Sequence, residues 1–520
     1  MPVGRTLLIT SILLLSLFSG CTFLHQTHFT LLSLVVDDDQ GFPRMVVQFN
    51  TSDTSHLLLT DPAHTVLFSG TYYAGIHNES MYFSGYRTTI PAGMYQLTAK
   101  DSSQHTIFEE EVSFNGANLS VTSLSIDGWN GIAGSPSIAF HLSLTNTGDL
   151  PAYPSRLTIL QGSLAEEVLL LPEVILPSTT QSLTCFAPLL APTAEDTPLT
   201  ISLFDSTGMI LSQTNFSLVK KTPVGSWEYT WYYFGSHTLK IPQVDWFPDY
   251  YRGLERFDFV DYAAYVFDPY DDSYLEFLVD RILLLKEVRS DVEKINFVAS
   301  FVQSIEYKND DPENDSYEYP RYPLETLHDK QGDCEDKAIL TAALLQSLGY
   351  NVSLLRLPHH MAVGVHLNQT IPPYSYYVDQ YYFLETTTLH MTVGKIPLEY
   401  EGLTNISVYP LTPRPLLVHR WKDATRYKVS TGADYVTVRM IVENFGTEPT
   451  SSIEIRGAFY DNSNQIYHQQ TTIVSSLSAG EKRVVELSVD VPVEISTTLK
   501  TQLFIDAIMV HQRESTSQFP

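Results

Sequence analysis

Two distant stretches of this sequence repeat one pattern: an alternating run, a turn and a second alternating run. Residues 138–151 read IAFHLSLTNTGDLP, and residues 436–449 read VTVRMIVENFGTEP. Alternation of apolar and polar residues has the period of a half-buried β-strand. The shared Asn-x-Gly-x-x-Pro is typical of a turn, in which we expect Asn and Gly to take positive φ angles and Pro to end the ladder. The repeat predicts separate two-sheet β-modules.

The two repeats resemble the immunoglobulin-like modules of prokaryotic surface proteins. The resemblance implies immunoglobulin-like β-sandwiches at 118–220 and 425–514. Residues 22–117 also alternate short strand-like runs with turn formers, and we expect them to form a third, more divergent β-sandwich. Cys185 lies in a run of the second module, so we expect it in a core.

The N-terminus has the organisation of an export signal. Arg5 precedes an apolar stretch over residues 7–18, which is too short to span a bilayer comfortably. The stretch Leu-Phe-Ser-Gly-Cys that ends at Cys21 resembles the lipobox of prokaryotic lipoproteins. The resemblance implies a cleaved signal peptide at 1–20 and a lipid on Cys21, which places the chain at the extracellular face of the cell membrane. An uncleaved anchor is the alternative.

Charge and cysteine content exclude several classes of protein. The chain has 59 acidic and 31 basic residues, for a formal net charge of −28. A surface this acidic repels phosphate groups, so we expect no nucleic-acid partner. Three cysteines form neither a disulfide framework nor a cysteine-rich metal site, and we expect no metal and no cofactor. No pattern indicates an oligomeric state.

Residues 221–424 differ from both flanks. Helical periodicity covers 274–286 and 291–305, and Ser290 with Glu293 forms a capping box before the second helix. A further helix is predicted over 334–348. Strands are predicted near 351–356, 361–367 and 380–384. The predicted fold class is therefore a multidomain protein whose α+β core is flanked by all-β sandwiches.

Cys334 is the candidate nucleophile. It follows Gly332 and Asp333 at the start of the predicted helix. The helix dipole and the free backbone N–H groups of a first turn stabilise thiolate over thiol, and the same N–H groups can donate to an oxyanion. Gly332 allows a tight turn into the helix.

His360 is the candidate base. In a strand, His360, Ala362, Gly364 and His366 share one face. The small residues at 362 and 364 are expected to leave room for a substrate. His359 points to the opposite face and is the poorer candidate.

A base needs a group that orients its ring. Glu385 ends a predicted strand and is the preferred orienting carboxylate, with Asp379 as the alternative.

These motifs resemble the transglutaminase-like superfamily of papain-type cysteine enzymes. The matching residues are Gly-Asp-Cys-Glu-Asp at 332–336, His-x-x-Val-x-Val at 360–365 and an acidic residue that closes the next strand. The resemblance implies a papain-like fold with Cys334 as nucleophile, His360 as base and Glu385 as orienter, where many members have Asp. The lead-in at 301–307 is also similar to prokaryotic members, and Gln303 is a candidate oxyanion donor.

We therefore expect an exported cysteine enzyme that acts on peptide or protein amides at the cell surface through an acyl-thioester. Hydrolysis by a peptidase or amidase is favoured over cross-linking by an acyltransferase, because many prokaryotic members of the superfamily are hydrolases. The alternative is a non-catalytic adhesion or scaffold protein with a vestigial papain-like domain.

Overall fold

The computed structural model describes residues 28–83, 85–129, 137–189, 198–217, 220–256, 261–310, 318–428 and 434–519. The predicted signal peptide and Cys21 lie outside these ranges. The chain divides into two compact units, one ending at Pro223 and one beginning at Val224. The described residues include no helix that is long and apolar enough to cross a membrane. The protein is mostly β, with a small helical region flanked by several β-sheets.

The first unit begins with a seven-stranded module. Its strands are β1 (Phe29–Asp39), β2 (Phe42–Thr51), β3 (Ser55–Thr60), β4 (Val66–Tyr72), β5 (Gly75–Tyr82), β6 (Gly93–Asp101) and β7 (Thr106–Phe114). They form the sheets β1-β2-β5 and β4-β3-β6-β7. Met45, Val47 and Phe49 alternate along β2 and therefore point to the same face of the sheet. They pack in one core with Leu57 and Leu97 of the other sheet.

A second module completes this unit. Its strands are β8 (Leu119–Gly128), β9 (Ser137–Asn146), β10 (Arg156–Gln161), β11 (Leu164–Leu169), β12 (Thr180–Leu189), β13 (Leu199–Phe204), β14 (Ile210–Phe216) and β15 (Lys220–Pro223). The sheets β12-β9-β8-β15 and β11-β10-β13-β14 enclose one apolar core, which includes Cys185. Cys185 is a free, buried cysteine, as the alternating sequence predicts.

The second unit contains the helical region. Its elements are β16 (Ser226–Tyr232), β17 (Ser236–Pro242), α1 (Trp246–Arg252), a 3₁₀ turn (Tyr262–Tyr265), α2 (Asp272–Leu283), α3 (Asp291–Gln303), β18 (Glu306–Tyr307), α4 (Pro323–Asp329), β19 (Gln331–Gly332), α5 (Cys334–Ser347), β20 (Val352–Leu357), β21 (His360–Val365), β22 (Tyr382–Leu384), a second 3₁₀ turn (Leu398–Tyr400) and β23 (Ser407–Pro410). Four strands form the sheet β22-β21-β20-β23. Ser290 caps α3, its hydroxyl accepting from the Glu293 N–H, but the Glu293 carboxylate accepts from the Arg289 N–H, so only half of the predicted capping box forms.

A C-terminal module ends the second unit. Its strands are β24 (Leu417–Tyr427), β25 (Tyr435–Asn444), β26 (Ile453–Tyr460), β27 (Ile466–Val474), β28 (Lys482–Asp490), β29 (Thr498–Ile505) and β30 (Ile508–Glu514). The sheets β24-β25-β28 and β27-β26-β29-β30 share a core built from the alternating residues of β25 and its neighbours. The predicted boundary at 424/425 falls inside β24, which pairs with β25 along its length.

The repeated Asn is a buried connector. The side-chain oxygen of Asn146 accepts from the Asn118 and Gly148 N–H groups at 3.1 and 3.0 Å. The equivalent oxygen of Asn444 accepts from the Leu416 and Gly446 N–H groups, both at 3.0 Å. In each module the amide therefore ties the turn to the segment that leads into the first strand.

The prediction of positive φ angles in these turns is wrong. Neither repeated Asn or Gly has one. Gly148 and Gly446 are needed because the backbone passes too closely for a side chain. A Cβ there would lie 2.1 and 2.2 Å from the carbonyl oxygens of Gly116 and Arg414, respectively.

A pair of histidines, the buried His419 and the half-buried His511, gives the C-terminal module a predicted pH dependence. The Nδ1 atoms of His419 and His511 are 2.8 Å apart, and His419 Nε2 lies 2.7 Å from the Thr501 hydroxyl. Burial lowers the pKa of His419 well below its usual value and that of His511 to about 4. The unfolded chain therefore binds more protons below about pH 6.5, and stability falls as the pH falls.

We expect His511→Asn to remove part of this dependence. Between pH 7 and pH 5, the free energy of unfolding of the wild type should fall by about 1–2 kcal/mol more than that of the variant. Hydrogen exchange of peptides from β24 and β25 measures this difference within the module. If the stability difference between wild type and variant is the same at pH 7 and pH 5, the prediction is contradicted.

Candidate active site

Cys334 is the first residue of α5, where the sequence predicts it. Asp333 is the N-cap, in an extended conformation. Gly332 precedes it because a Cβ at this position would lie 2.7 Å from Cβ of Asp336. The glycine therefore permits the backbone to pass close to the first turn of the helix.

The thiol lies between two groups with different effects. Its Sγ donates to Oε2 of Glu335 at 3.1 Å, and the backbone N–H of Met361 donates to Sγ. Burial, followed by the charge and hydrogen bond of Glu335, raises the pKa of Cys334. This differs from the expectation of a stabilised thiolate, because the adjacent carboxyl and the desolvation outweigh the helix terminus.

Buried carboxyls surround the start of α5. Burial and the neighbouring Asp333 raise the pKa of Glu335 to about 10 and that of Asp336 to about 8. Arg321 forms ion pairs with Asp336 and with Asp310, the latter at 3.0 Å. The guanidinium of Arg321 and the protons held by the carboxyls whose pKa is raised thus balance the negative charge of this cluster.

The same cluster contains the residues that could surround a cation. One oxygen each of Asp310, Asp333 and Glu335 lies within 4.8 Å of the others. Arg321 already pairs with Asp310, and the raised pKa of Glu335 favours its protonated form, which is a poor cation ligand, so we assign no metal to them.

His360 begins β21 immediately after a two-residue hairpin turn. Leu357 of β20 pairs with His360, and His359 occupies the turn with φ +57°, exposed to solvent. The His360 ring stacks on Tyr400 with centroids 4.8 Å apart and planes 3° apart. The ring is held flat in a nearly buried position, 8% exposed.

Glu385 is the group that pairs with this ring. Its Oε2 lies 3.0 Å from His360 Nε2, and its other oxygen accepts from the N–H groups of Thr386 and Thr387. Burial opposes ionisation of Glu385, but the hydrogen bond and charge of His360 and the Thr387 donors outweigh it and lower its pKa to about 2.

The alternative acid, Asp379, does not take this place. It lies exposed in a turn with φ +46°, and within the described ranges it makes no ion pair with His360. Glu385 is the carboxylate that the structure brings to the ring.

The small residues of β21 are in close contact with neighbouring residues and leave no space for a substrate. A Cβ on Gly364 would lie 2.4 Å from the Ser353 hydroxyl and 2.9 Å from Cβ of Tyr381. Ala362 is fully buried in a cluster with Leu355 and Phe383. The expectation that these positions leave room for a substrate is wrong, because loop residues cover this face of the sheet.

Gln303 does not face the thiol in the manner of an oxyanion donor. Its side-chain nitrogen donates to the backbone carbonyls of Glu385 and Met391 at 2.8 and 2.9 Å. Both N–H groups of the amide thus have acceptors.

The predicted residues are brought to one neighbourhood, but not into a continuous hydrogen-bonded triad. His360 pairs with Glu385, and the amide of the next residue, Met361, reaches the sulfur of Cys334. Burial, with the charges of Glu385 and Cys334 contributing, raises the pKa of Tyr400, the residue stacked on His360. Across the described part of the chain, the sulfur and the His360 ring form no hydrogen bond.

Sequence reasoning missed two residues of this site, Glu335 and Lys337. Lys337 is fully buried, and its Nζ donates to the carbonyls of Gln303 and Ile305 at 3.2 and 2.8 Å. Its helical spacing with Leu340 and Leu344 is the signal that places it on a buried face. Glu335 carries no comparable signal, since an acidic first turn is also typical of a solvated helix start.

Comparison with known proteins supports one assignment. Residues 280–393 match the family model described as "Transglutaminase-like domain", and this region is a transglutaminase-like domain. The match spans α3, α5, the strand that begins at His360 and Glu385, which directly follows β22. No curated protein matches the chain.

Three solved structures resemble the chain weakly. Red sea bream transglutaminase is 12% identical, with 73% of this chain and 79% of that chain covered and a TM-score of 0.16. An exo-chitosanase of Amycolatopsis orientalis is 14% identical, with 35% and 26% covered and a TM-score of 0.13. A β-glucuronidase from glycoside hydrolase family 2 is 9% identical, with 93% and 75% covered and a TM-score of 0.16. Similarities this slight carry no argument about fold, substrate or activity.

Proposed function

We propose that this chain is an exported cysteine enzyme that cleaves an amide bond of a peptide or protein through a thioester on Cys334. The observation that carries the proposal is the nearly buried His360–Glu385 pair, 3.0 Å between Nε2 and Oε2. An ionised carboxylate fixes the imidazole tautomer and stabilises its protonated form. The transglutaminase-like domain supports the same chemistry.

In the proposed reaction, His360 accepts the thiol proton of Cys334, and the sulfur attacks the amide carbon. This step requires the thiol to leave Glu335, to which it donates at 3.1 Å. The Nδ1 atom of His360 is available for that proton, because Nε2 faces Glu385. The first-turn N–H groups of α5 lack intrahelical acceptors and can donate to the oxyanion.

The imidazolium then protonates the departing amine, and a thioester remains on Cys334. Water, deprotonated by His360, hydrolyses this thioester and restores the thiol. An amine in place of water would give a cross-link. We propose hydrolysis, in a fold of papain type, as the principal outcome.

We also propose that the chain is held at the outer face of the membrane by a lipid on Cys21. The β-modules, which we take as immunoglobulin-like in type, would then hold the catalytic region away from the bilayer. Peptide or protein substrates at the cell surface fit this placement. Acidic surfaces make nucleic acid an unsuitable partner.

One observation favours a second function, that of a non-catalytic adhesion or scaffold protein. The thiol of Cys334 donates to Glu335, and burial and that carboxyl raise its pKa. A thiol kept protonated in this way is a weak nucleophile unless substrate binding changes its partner.

Alkylation of the full chain by iodoacetamide at neutral pH distinguishes the two functions, with labelled sites identified by mass spectrometry of peptides. If the thiol leaves Glu335 and His360 takes its proton, as we propose, Cys334 should react faster than a free model thiol, and buried Cys185 serves as the internal control. Cys334→Ala should remove the fast label and every peptide adduct trapped on the protein. Labelling of Cys334 no faster than the model thiol would favour the scaffold.

A further inference from the structure

Gln303 is the last residue of α3. Its side-chain amide donates to the carbonyl of Glu385 itself and to that of Met391. The two carbonyls bracket the loop that follows β22. The amide therefore fixes both ends of the segment whose first residue supplies the carboxylate that pairs with His360.

Lys337 holds the same helix end from α5. Its Nζ donates to the backbone carbonyls of Gln303 and Ile305, and in the described part of the chain no carboxylate pairs with it. The side chain is fully buried. A buried ammonium satisfied by carbonyls alone is more costly than an apolar side chain of the same length.

We propose that Gln303 and Lys337 are positioning residues that set Glu385, and through it the His360 ring, relative to the helix that carries Cys334. The inference deepens the proposed function and rests on it. The hydrogen-bonded path runs from α5 through Lys337 to the end of α3, and from Gln303 to Glu385. It joins the nucleophile's helix to the acid without touching substrate.

Burial supports this role. Gln303 is 3% exposed, Glu385 1% and Met391 9%, so both carbonyls that accept from Gln303 belong to buried residues. Burial lowers the pKa of Lys337 to about 8, against the opposing charge of Glu385. Near neutral pH the cation is therefore retained beside the carboxylate that it helps to place.

Two methionine variants separate positioning from stability. Gln303→Met keeps the length of the side chain but leaves two carbonyls without donors. Gln346→Met is the matched control, because Gln346 also donates its amide to one carbonyl, that of Leu411 at 3.1 Å, but lies at the other end of α5. Each variant is compared with the full-length wild type in thermal unfolding and in the pH profile of Cys334 alkylation.

We expect Gln303→Met to slow alkylation at pH 7 at least tenfold and to move the profile toward higher pH. Gln346→Met should leave both unchanged while lowering the melting temperature. If Gln303→Met alkylates like Gln346→Met, the residue is merely structural and the inference is overturned. If the wild type itself reacts no faster than a model thiol, the proposed function fails instead.

Lys337→Met provides the second test, for the case in which Gln303→Met does not fold. Methionine matches the buried lysine in length, and removing the buried ammonium offsets the cost of leaving the carbonyls of Gln303 and Ile305 without this donor, so the variant should fold. We expect its alkylation rate at pH 7 to fall several-fold without loss of melting temperature. A rate equal to that of the wild type would overturn the role of Lys337.

Discussion

Replacing His360 by alanine should reduce amide cleavage on the order of 10²- to 10⁴-fold, the range over which a positioned general base contributes. In the proposed reaction the ring takes the proton of Cys334, and its other nitrogen is held by Glu385. The same variant should slow alkylation of Cys334 at neutral pH. Both rates can be followed on the full chain with peptide amides and iodoacetamide.

His366→Ala is the matched control for this prediction. His366 lies just beyond the end of the same strand, where its Nδ1 is 3.2 Å from the Gln380 carbonyl oxygen. Its loss should leave both rates near those of the wild type. If both variants lose the same fraction of the cleavage and alkylation rates, His360 is not the general base of the reaction.

Replacing Glu385 by alanine should lower the free energy of unfolding by about 3–5 kcal/mol, as expected when one partner of a buried pair is removed. The variant leaves the His360 ring and the N–H groups of Thr386 and Thr387 without their acceptor. Denaturant unfolding measures this loss. Asp379→Asn, at an exposed turn whose positive φ asparagine tolerates, should remain within about 0.5 kcal/mol of the wild type.

The pH dependence of this effect has a definite sign. The pKa of Glu385 is lowered to about 2 from 4.5, so the folded chain holds its carboxylate ionised where the unfolded chain takes up a proton. The stabilisation is complete above the unfolded pKa and is lost as the pH falls toward 2. The difference between wild type and Glu385→Ala should therefore narrow between pH 5 and pH 2. A constant difference would exclude ionisation as its source.

Local patterns predict where the candidate residues lie along their elements. The helix start at Cys334 and the strand start at His360 follow from capping residues, periodicity and alternation. These are short-range properties of the backbone. They place the thiol and the imidazole on neighbouring elements, and the transglutaminase-like match covers the same residues.

Long-range contacts could not be predicted in the same way. The partner of Gln303 is a carbonyl 82 positions away, and nothing in its local sequence distinguishes that role from donation to an oxyanion. Gly364 is small because Ser353 of the adjacent strand crosses beside it. The inward direction of Glu335 depends on the burial created by segments distant in sequence, so an acidic helix start alone did not indicate it.

The Asn connectors bear on where this chain can be cut for separate expression. Each fastens residues upstream of the first strand of its module, near Asn118 in one case and Leu416 in the other. A shortened chain that starts at 425 would discard most of β24 and remove Leu416, one of the two N–H donors to the side-chain oxygen of the fully buried Asn444. Separately expressed versions of these modules should therefore begin before residues 115 and 413.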